Sequence, residues 1–249
     1  MPNKQALIKL NREQMIRLLV SVKDAAEALD AVEAGADFID LKDPSAGALG
    51  NLNNAICQNI LQEVKQRAVI SATVGDTHES LQILLNQIDE KWDLGVNIVK
   101  LPMSHFFEQA GFLQALHART HAKKMKLIAV MFAEQPIDLS WIPVLANLGF
   151  YGVMIDTANK GQHLLSALNT DILEEFVKQC GQFGLQAGLA GALRIEYLDV
   201  LLGLRPNYVG FRSGVCEQNV RKNKLLPHRV KEIKDKLHKH NNFYNKIMD

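Results

Sequence analysis

At 249 residues the chain can bury one large core, and its length suits a single (β/α)₈ barrel. Hydrophobic residues make up 47% and charged residues 22%, with a net charge of +1. That composition lacks the one-sided field used to bind nucleic acid or an acidic membrane, so neither is expected as a partner. No apolar stretch approaches the roughly 18 residues of a transmembrane helix, and the start of the chain carries no apolar signal segment. Cys57, Cys180 and Cys216 are widely spaced and odd in number, which suits neither a disulfide framework nor a zinc site. A reducing cytoplasm is the expected compartment.

Eight β-rich runs alternate with stretches of helical period. Strands are predicted over 16–22, 37–42, 69–74, 97–101, 126–132, 152–157, 185–189 and 207–212. Between them apolar residues recur at helical spacing, as at Ala25, Leu29 and Val32, or Leu81, Leu84, Leu85 and Ile88. Ile172, Phe176 and Val177 mark a further helix, with Gly184 as its stop. Alternating strand and helix implies a parallel sheet covered by helices. Eight units without a linker predict one α/β domain, a single (β/α)₈ TIM barrel over residues 15–240. Residues 1–14 read as an appended arm and 241–249 as a C-terminal tail, the end of a basic, Asn- and His-rich stretch that begins at Lys231. Both are expected to fray or to touch another copy in a homo-oligomer.

In such a barrel the chemistry sits at the C-terminal ends of the strands. The second strand closes on Asp40-Leu41-Lys42-Asp43 and breaks into a Gly/Pro loop. Strand side chains alternate faces, so Asp40 and Lys42 point one way while Ile39 and Leu41 point the other. The third strand ends Ser71-Ala72-Thr73-Val74-Gly75-Asp76, the fourth Val99-Lys100, and the sixth Asp156-Thr157-Ala158-Asn159-Lys160. A single Lys or Asp at a loop start reads as a solvated charge. Asp40 and Lys100, however, lie inside apolar runs, where an unpaired charge is costly.

A lysine beside an acid suits imine chemistry or phosphate binding. Amines crowded in a desolvated cavity lower one another's proton affinity. From an ordinary value of about 10.4, such crowding can leave one lysine neutral enough to attack a carbonyl. Nearby carboxylates can then shuttle protons. The histidines show no metal-ligand spacing, and this chemistry requires neither metal nor cofactor. The seventh and eighth strands close on Gly188-Leu189-Ala190-Gly191-Ala192 and Gly210-Phe211-Arg212-Ser213-Gly214. Loops at these positions bind phosphate through backbone N–H groups. Gly191, Ala192, Ser213 and Gly214 are the expected backbone ligands, and Arg212 a cationic fork.

Taken together, Asp-Leu-Lys-Asp-Pro-x-x-Gly-Ala-Leu-Gly at 40–50, Ser-Ala-Thr-Val-Gly-Asp at 71–76, Asp-Thr-Ala-x-Lys at 156–160, Leu-Ala-Gly-Ala-Leu at 189–193 and Gly-Phe-Arg-Ser-Gly-Val-Cys at 210–216 resemble the (5-formylfuran-3-yl)methyl phosphate synthases, the furan-forming enzymes of methanofuran biosynthesis. The resemblance runs in order from about Met15 to Ile233. It implies a Schiff-base lyase that condenses two molecules of glyceraldehyde 3-phosphate into 4-(hydroxymethyl)-2-furaldehyde phosphate, with loss of phosphate and water. By motif match Lys42 forms the imine, and Asp40, Lys100, Asp156 and Lys160 supply acid, base and charge. The chain departs from the family pattern at Leu101-Pro102-Met103 and Ala129–Glu134, and lacks the usual Asp after Lys160, so one pocket wall is expected to differ. Two other readings of the same residues are a class I aldolase acting on another phosphorylated aldehyde or ketose, and a non-catalytic barrel that binds a sugar phosphate.

Overall fold

The structure, a computed structural model, describes residues 15–159 and 161–248, the last five as helix backbone alone. Eight parallel strands close into a barrel in chain order. They are β1 (Arg17–Val22), β2 (Phe38–Leu41), β3 (Val69–Thr73), β4 (Ile98–Pro102), β5 (Leu127–Phe132), β6 (Gly152–Asp156), β7 (Gln186–Leu189) and β8 (Tyr208–Phe211). The barrel is the predicted fold, and each strand lies within one residue of its predicted limits. Aliphatic runs such as Leu-Ile-Ala-Val-Met-Phe in β5 suit strands covered on both sides, and all six residues are buried.

Alternation divides these strands between two cores. Outward residues such as Leu18, Val20, Ile39 and Leu41 join the helices in the larger one. Inward residues, among them Leu19, Phe38, Ile98, Ile128, Met154 and Tyr208, fill the barrel itself. The inward positions nearest the C-terminal ends carry Ser21, Asp40, Ser71, Thr73, Lys100 and Asp156. The register sets Ser21 beside Asp40, Asp40 beside Ser71, and Thr73 beside Lys100. Polar side chains therefore replace aliphatic ones at one level of the barrel, and that level lies under the mouth.

Side-chain caps start several of the surrounding helices. Asp24 accepts from Glu27 N ahead of Ala25–Glu33, and Ser80 from Ile83 N ahead of Leu81–Asp93. Asn169 accepts from Asp171 N ahead of Thr170–Gln182. Gly184, at φ 71°, provides the left-handed stop expected after that last helix.

The C-terminal stretch differs from its sequence reading. In place of a tail it forms a helix, Pro227–Met248, whose Val230, Ile233 and Leu237 are buried at helical spacing. Asn241 clasps the backbone of Ile16, accepting from its N–H and donating to its carbonyl, both at 3.0 Å. The Lys234 ammonium meets both oxygens of Asp37 at 2.7 Å. The basic outer face of this helix hides a narrow apolar stripe, which explains its resemblance to a solvated tail. The expected arm at 1–14 lies outside the described residues. Among the described residues no helix is long and apolar enough to cross a membrane.

Candidate active site

The site is built around one carboxylate. Asp40 points inward from β2 and is fully buried. It accepts hydrogen bonds from Ser21 Oγ of β1 at 2.9 Å and from Ser71 Oγ of β3 at 2.7 Å. Lys100 Nζ approaches from β4 to 2.6 Å of Asp40 Oδ1, and Lys42 Nζ lies 3.9 Å from Asp40 Oδ2. On its other side Lys42 donates to Asp156 Oδ2 at 3.5 Å, while Asp156 Oδ1 accepts from the N–H of Thr157 at 2.8 Å. The sequence expectation that Asp40, Lys42, Lys100 and Asp156 would face one cavity is met by two of the four. Lys42 and Asp156 line it, whereas Asp40 and Lys100 form a sealed pair beneath the floor. Lys160 lies outside the described residues.

Burial and charge oppose one another in the pair. Burial by itself raises the Asp40 carboxyl, but the charges of Lys100 and Lys42, with hydrogen bonds from Lys100 and Ser71, overcome it and hold the group below its ordinary value. For Lys100 burial is also the largest influence, and it depresses the ammonium. The Asp40 charge opposes that shift and the Lys42 charge adds to it, leaving Lys100 below its ordinary value. The Asp40 charge is thus shared between two amines, only one of which reaches the cavity.

The loop after β2 is tied down. Asp43 N donates to Gly50 O at 2.9 Å and Thr73 Oγ1 donates to the same carbonyl at 2.9 Å. Asp76, at the end of β3, accepts from the N–H groups of Ala48 and Leu49. Across the mouth, Glu134 accepts from Ala158 N at 2.9 Å and Asn159 N at 2.7 Å, which fixes the turn after β6. Between these loops lies a cavity of about 380 Å³.

Gly191, Ala192 and Ser213 line that cavity. Gly191 has φ 115°, and a Cβ there would stand 2.7 Å from Thr157 Cγ2, so glycine is required for the close approach of the two loops. Gly214 lies behind the wall against the Leu193 carbonyl, where a Cβ would come within 2.2 Å.

Arg212 borders the cavity but faces inward. Its Nη1 and Nη2 grip Glu27 at 2.5 and 3.2 Å, Nη1 also donates to Ser21 O at 3.1 Å, and Nε donates to Arg221 O at 2.7 Å. The expected phosphate fork is therefore engaged by a carboxylate of the helix Ala25–Glu33 and by backbone. Its partner Glu27 lies 185 positions away in the chain, which is why no local motif announced it.

Among the described residues, Arg221 is a further cation lining the cavity besides Lys42, with the more exposed Lys222 and Arg194. Sequence reasoning passed over Arg221, because Arg-Lys-Asn-Lys after the last strand reads as a solvated basic run. A second hollow, of about 630 Å³, opens beyond β3–β5 and is lined by Met103, Phe107, Met131, Phe132 and Trp141 with Asp76, Glu108 and Asp138. Of the departures from the family pattern, Met103, Met131 and Phe132 fall on this wall. Among the described residues no group of three or more His, Cys, Asp or Glu side chains is placed to hold a metal ion.

A closed (β/α)₈ barrel with a reachable lysine between two carboxylates at its C-terminal mouth has the organisation of a barrel enzyme. The sequence profile of the 4-HFC-P synthase family matches residues 18–234, and the chain belongs to that family. A Methanopyrus kandleri protein named (5-formylfuran-3-yl)methyl phosphate synthase is 30% identical over 233 residues, covering 89% of this chain and 98% of its own. A Methylorubrum extorquens protein provisionally given the same name is 39% identical over 216 residues, covering 86% of this chain and 88% of its own. Among solved structures, 3-hexulose-6-phosphate synthase from Salmonella typhimurium superposes with a TM-score of 0.67 at 13% identity, covering 90% of this chain and all of its own. Phosphoribosyl anthranilate isomerase from Thermotoga maritima superposes at 0.65 and 16%, covering 90% of this chain and 99% of its own. At those identities the likeness speaks for the barrel alone.

Proposed function

We propose that this enzyme condenses two molecules of glyceraldehyde 3-phosphate into the phosphate ester of 4-(hydroxymethyl)-2-furaldehyde, with loss of one phosphate and of water, through an imine on Lys42. The observation that carries this reading is the contrast between the two lysines on Asp40. Lys42 is 9% exposed and lines the cavity, whereas Lys100 is sealed at 0%. An amine must touch its carbonyl, so Lys42 is the nucleophile. Its nitrogen bonds to the aldehyde carbon, and the carbonyl oxygen leaves as water once protonated.

Asp156, 3.5 Å from the amine and open to the cavity, is placed to take the proton the amine loses and return it to the departing oxygen. Asp40 and Lys100 act from beneath. Asp40 offsets the positive charge of the imine, and Lys100 keeps that carboxylate ionised. Lys160 is assigned the departing phosphate or oxygen, on its motif position four residues past Asp156. The backbone at Gly191, Ala192 and Ser213 is assigned a substrate phosphoryl group, with Gly214 supporting it from behind. The family relatives carry the furan-forming name, which supports this choice over a simple aldol product.

The test is mass spectrometry of the protein after incubation with glyceraldehyde 3-phosphate and borohydride, with product followed by ultraviolet absorbance and phosphate release. The expected result is one reduced adduct, mapped to Lys42. Lys42→Ala should lose both adduct and product, and so should Lys42→Arg, since a guanidinium stays protonated and cannot attack. An adduct mapped to Lys100 or Lys160 in the unaltered enzyme would reverse the roles, and absence of any adduct would remove the imine.

A further inference from the structure

We propose that Arg221 is the ligand of a second phosphoryl group, in the same cavity as the Gly191–Ala192 and Ser213 backbone but separate from it, so that one site holds two phosphate esters at once. The proposal rests on the two-triose reading for the identity of its ligand, and on the following geometry for the site.

Among the described residues, five cationic side chains and one carboxylate line the cavity: Lys42, Arg194, Arg212, Arg221, Lys222 and Asp156. Lys42 is committed to the carbonyl, and Arg212 is engaged by Glu27. Arg194 and Lys222 are exposed at the rim, where water screens an ion pair and leaves it worth little. Arg221 is different. Its Nη2 donates to Gly47 O at 2.6 Å, while its buried Nε–H finds no hydrogen-bond partner among the described residues. A buried donor of this kind on a charged group is costly to leave unmet, and a phosphate oxygen is its natural complement. The guanidinium is also partly desolvated. Burial weakens its hold on its proton and Arg212 adds to that, while Asp156, Asp76 and Asp43 oppose it. A dianion in the cavity would restore the missing countercharge.

The position of Arg221 is enforced from below. Glu27 holds Arg212, and Arg212 Nε in turn holds the carbonyl of Arg221. The strap around it is cross-linked by hydrogen bonds. Cys216 and Leu225 form an antiparallel bridge, Glu217 N donates to Lys224 O at 3.0 Å, and Arg229 grips Cys216 O and Asn219 Oδ1 at 2.8 and 2.9 Å. Through Gly47 the same guanidinium reaches the loop that follows Lys42, so a ligand on Arg221 lies on the Lys42 side of the mouth. Two phosphorylated trioses need two phosphoryl sites. The backbone loops suit one of them, and Arg221 the other.

The probe is glycerol 3-phosphate, which carries the phosphoryl group but no carbonyl and so cannot form an imine. Titration calorimetry of the unaltered protein should give two molecules per chain, and Arg221→Gln should give one. Arg221→Lys keeps the charge but loses the fork, so it should retain two sites with the second weakened about tenfold. A stoichiometry of one in the unaltered protein, two sites surviving in Arg221→Gln, or full affinity in Arg221→Lys would each overturn the proposal. If Arg221→Gln melts below the unaltered protein, Arg221→Lys decides by affinity. The two readings fail separately: a missing borohydride adduct with two binding sites intact removes the imine alone, and an adduct on Lys42 with one binding site removes this proposal alone.

Discussion

Asp40 and Lys100 are individually poor choices for a barrel interior, since each is fully buried and an ion taken from water unaccompanied is strongly disfavoured. They are tolerable as a pair at 2.6 Å with Ser21 and Ser71 completing the shell of the carboxylate. Removing one partner exposes that dependence. Asp40→Asn should destabilise the fold by about 3–5 kcal/mol, because Lys100 is left as an uncompensated buried charge. Lys100→Met should cost somewhat less, because Asp40 loses its nearer countercharge but keeps Lys42, Ser21 and Ser71. The double variant should recover most of the loss while remaining inactive, and denaturant unfolding of all four proteins measures it as a coupling. Additive losses in the double variant would mean that the two side chains do not act as a unit. This pair was legible in the sequence as charges inside apolar runs. Which of the two lysines reaches the cavity was not, because exposure depends on how far each strand projects past the floor.

At the scale of elements, the strands were legible because burial on both faces demands aliphatic runs and barrel chemistry demands polar residues at their ends. What escaped were contacts between distant elements away from the strand ends. The helix Pro227–Met248 was hidden by its basic outer face. The chain of contacts from Glu27 through Arg212 to the strap was hidden because it joins the helix Ala25–Glu33 to the segment after β8. Its side chains are 6% and 9% exposed, so the ion pair is a buried one. Arg212→Ala should therefore cost about 3 kcal/mol by leaving Glu27 buried without its main partner. It should also free the strap, seen as faster proteolytic cutting between 217 and 224. Glu27→Gln should loosen the strap in the same way although it lies outside the cavity lining. A strap as resistant in both variants as in the unaltered protein would show that the pair does not hold it.

Across the whole molecule, the same buried groups set how stability follows pH. Asp40 binds its proton less tightly in the fold than its ordinary 3.8. The unfolded chain therefore takes up that proton first on acidification. The stability that Asp40 contributes is fully present above about pH 4 and is lost as the pH falls through the lower folded value. Asp89, which accepts from Arg119 at 2.5 Å and Lys123 at 3.0 Å, is likewise lowered and loses its contribution in the same direction. Lys100 and Lys91 have the opposite effect, since burial is the main cause that depresses each below its ordinary 10.5. For them the unfolded state holds the proton more tightly. Their penalty is fully present below the folded value and is lifted as the pH rises from that value towards 10.5. Denaturant midpoints measured from pH 3 to 10 should therefore fall steeply at the acid end. In the Asp40→Asn, Lys100→Met protein the curve should be flatter at both ends, because one group of each kind has been removed. A double variant whose acid limb stays as steep as that of the unaltered protein would place the acid sensitivity at Asp89 and the other paired carboxylates, outside the barrel interior.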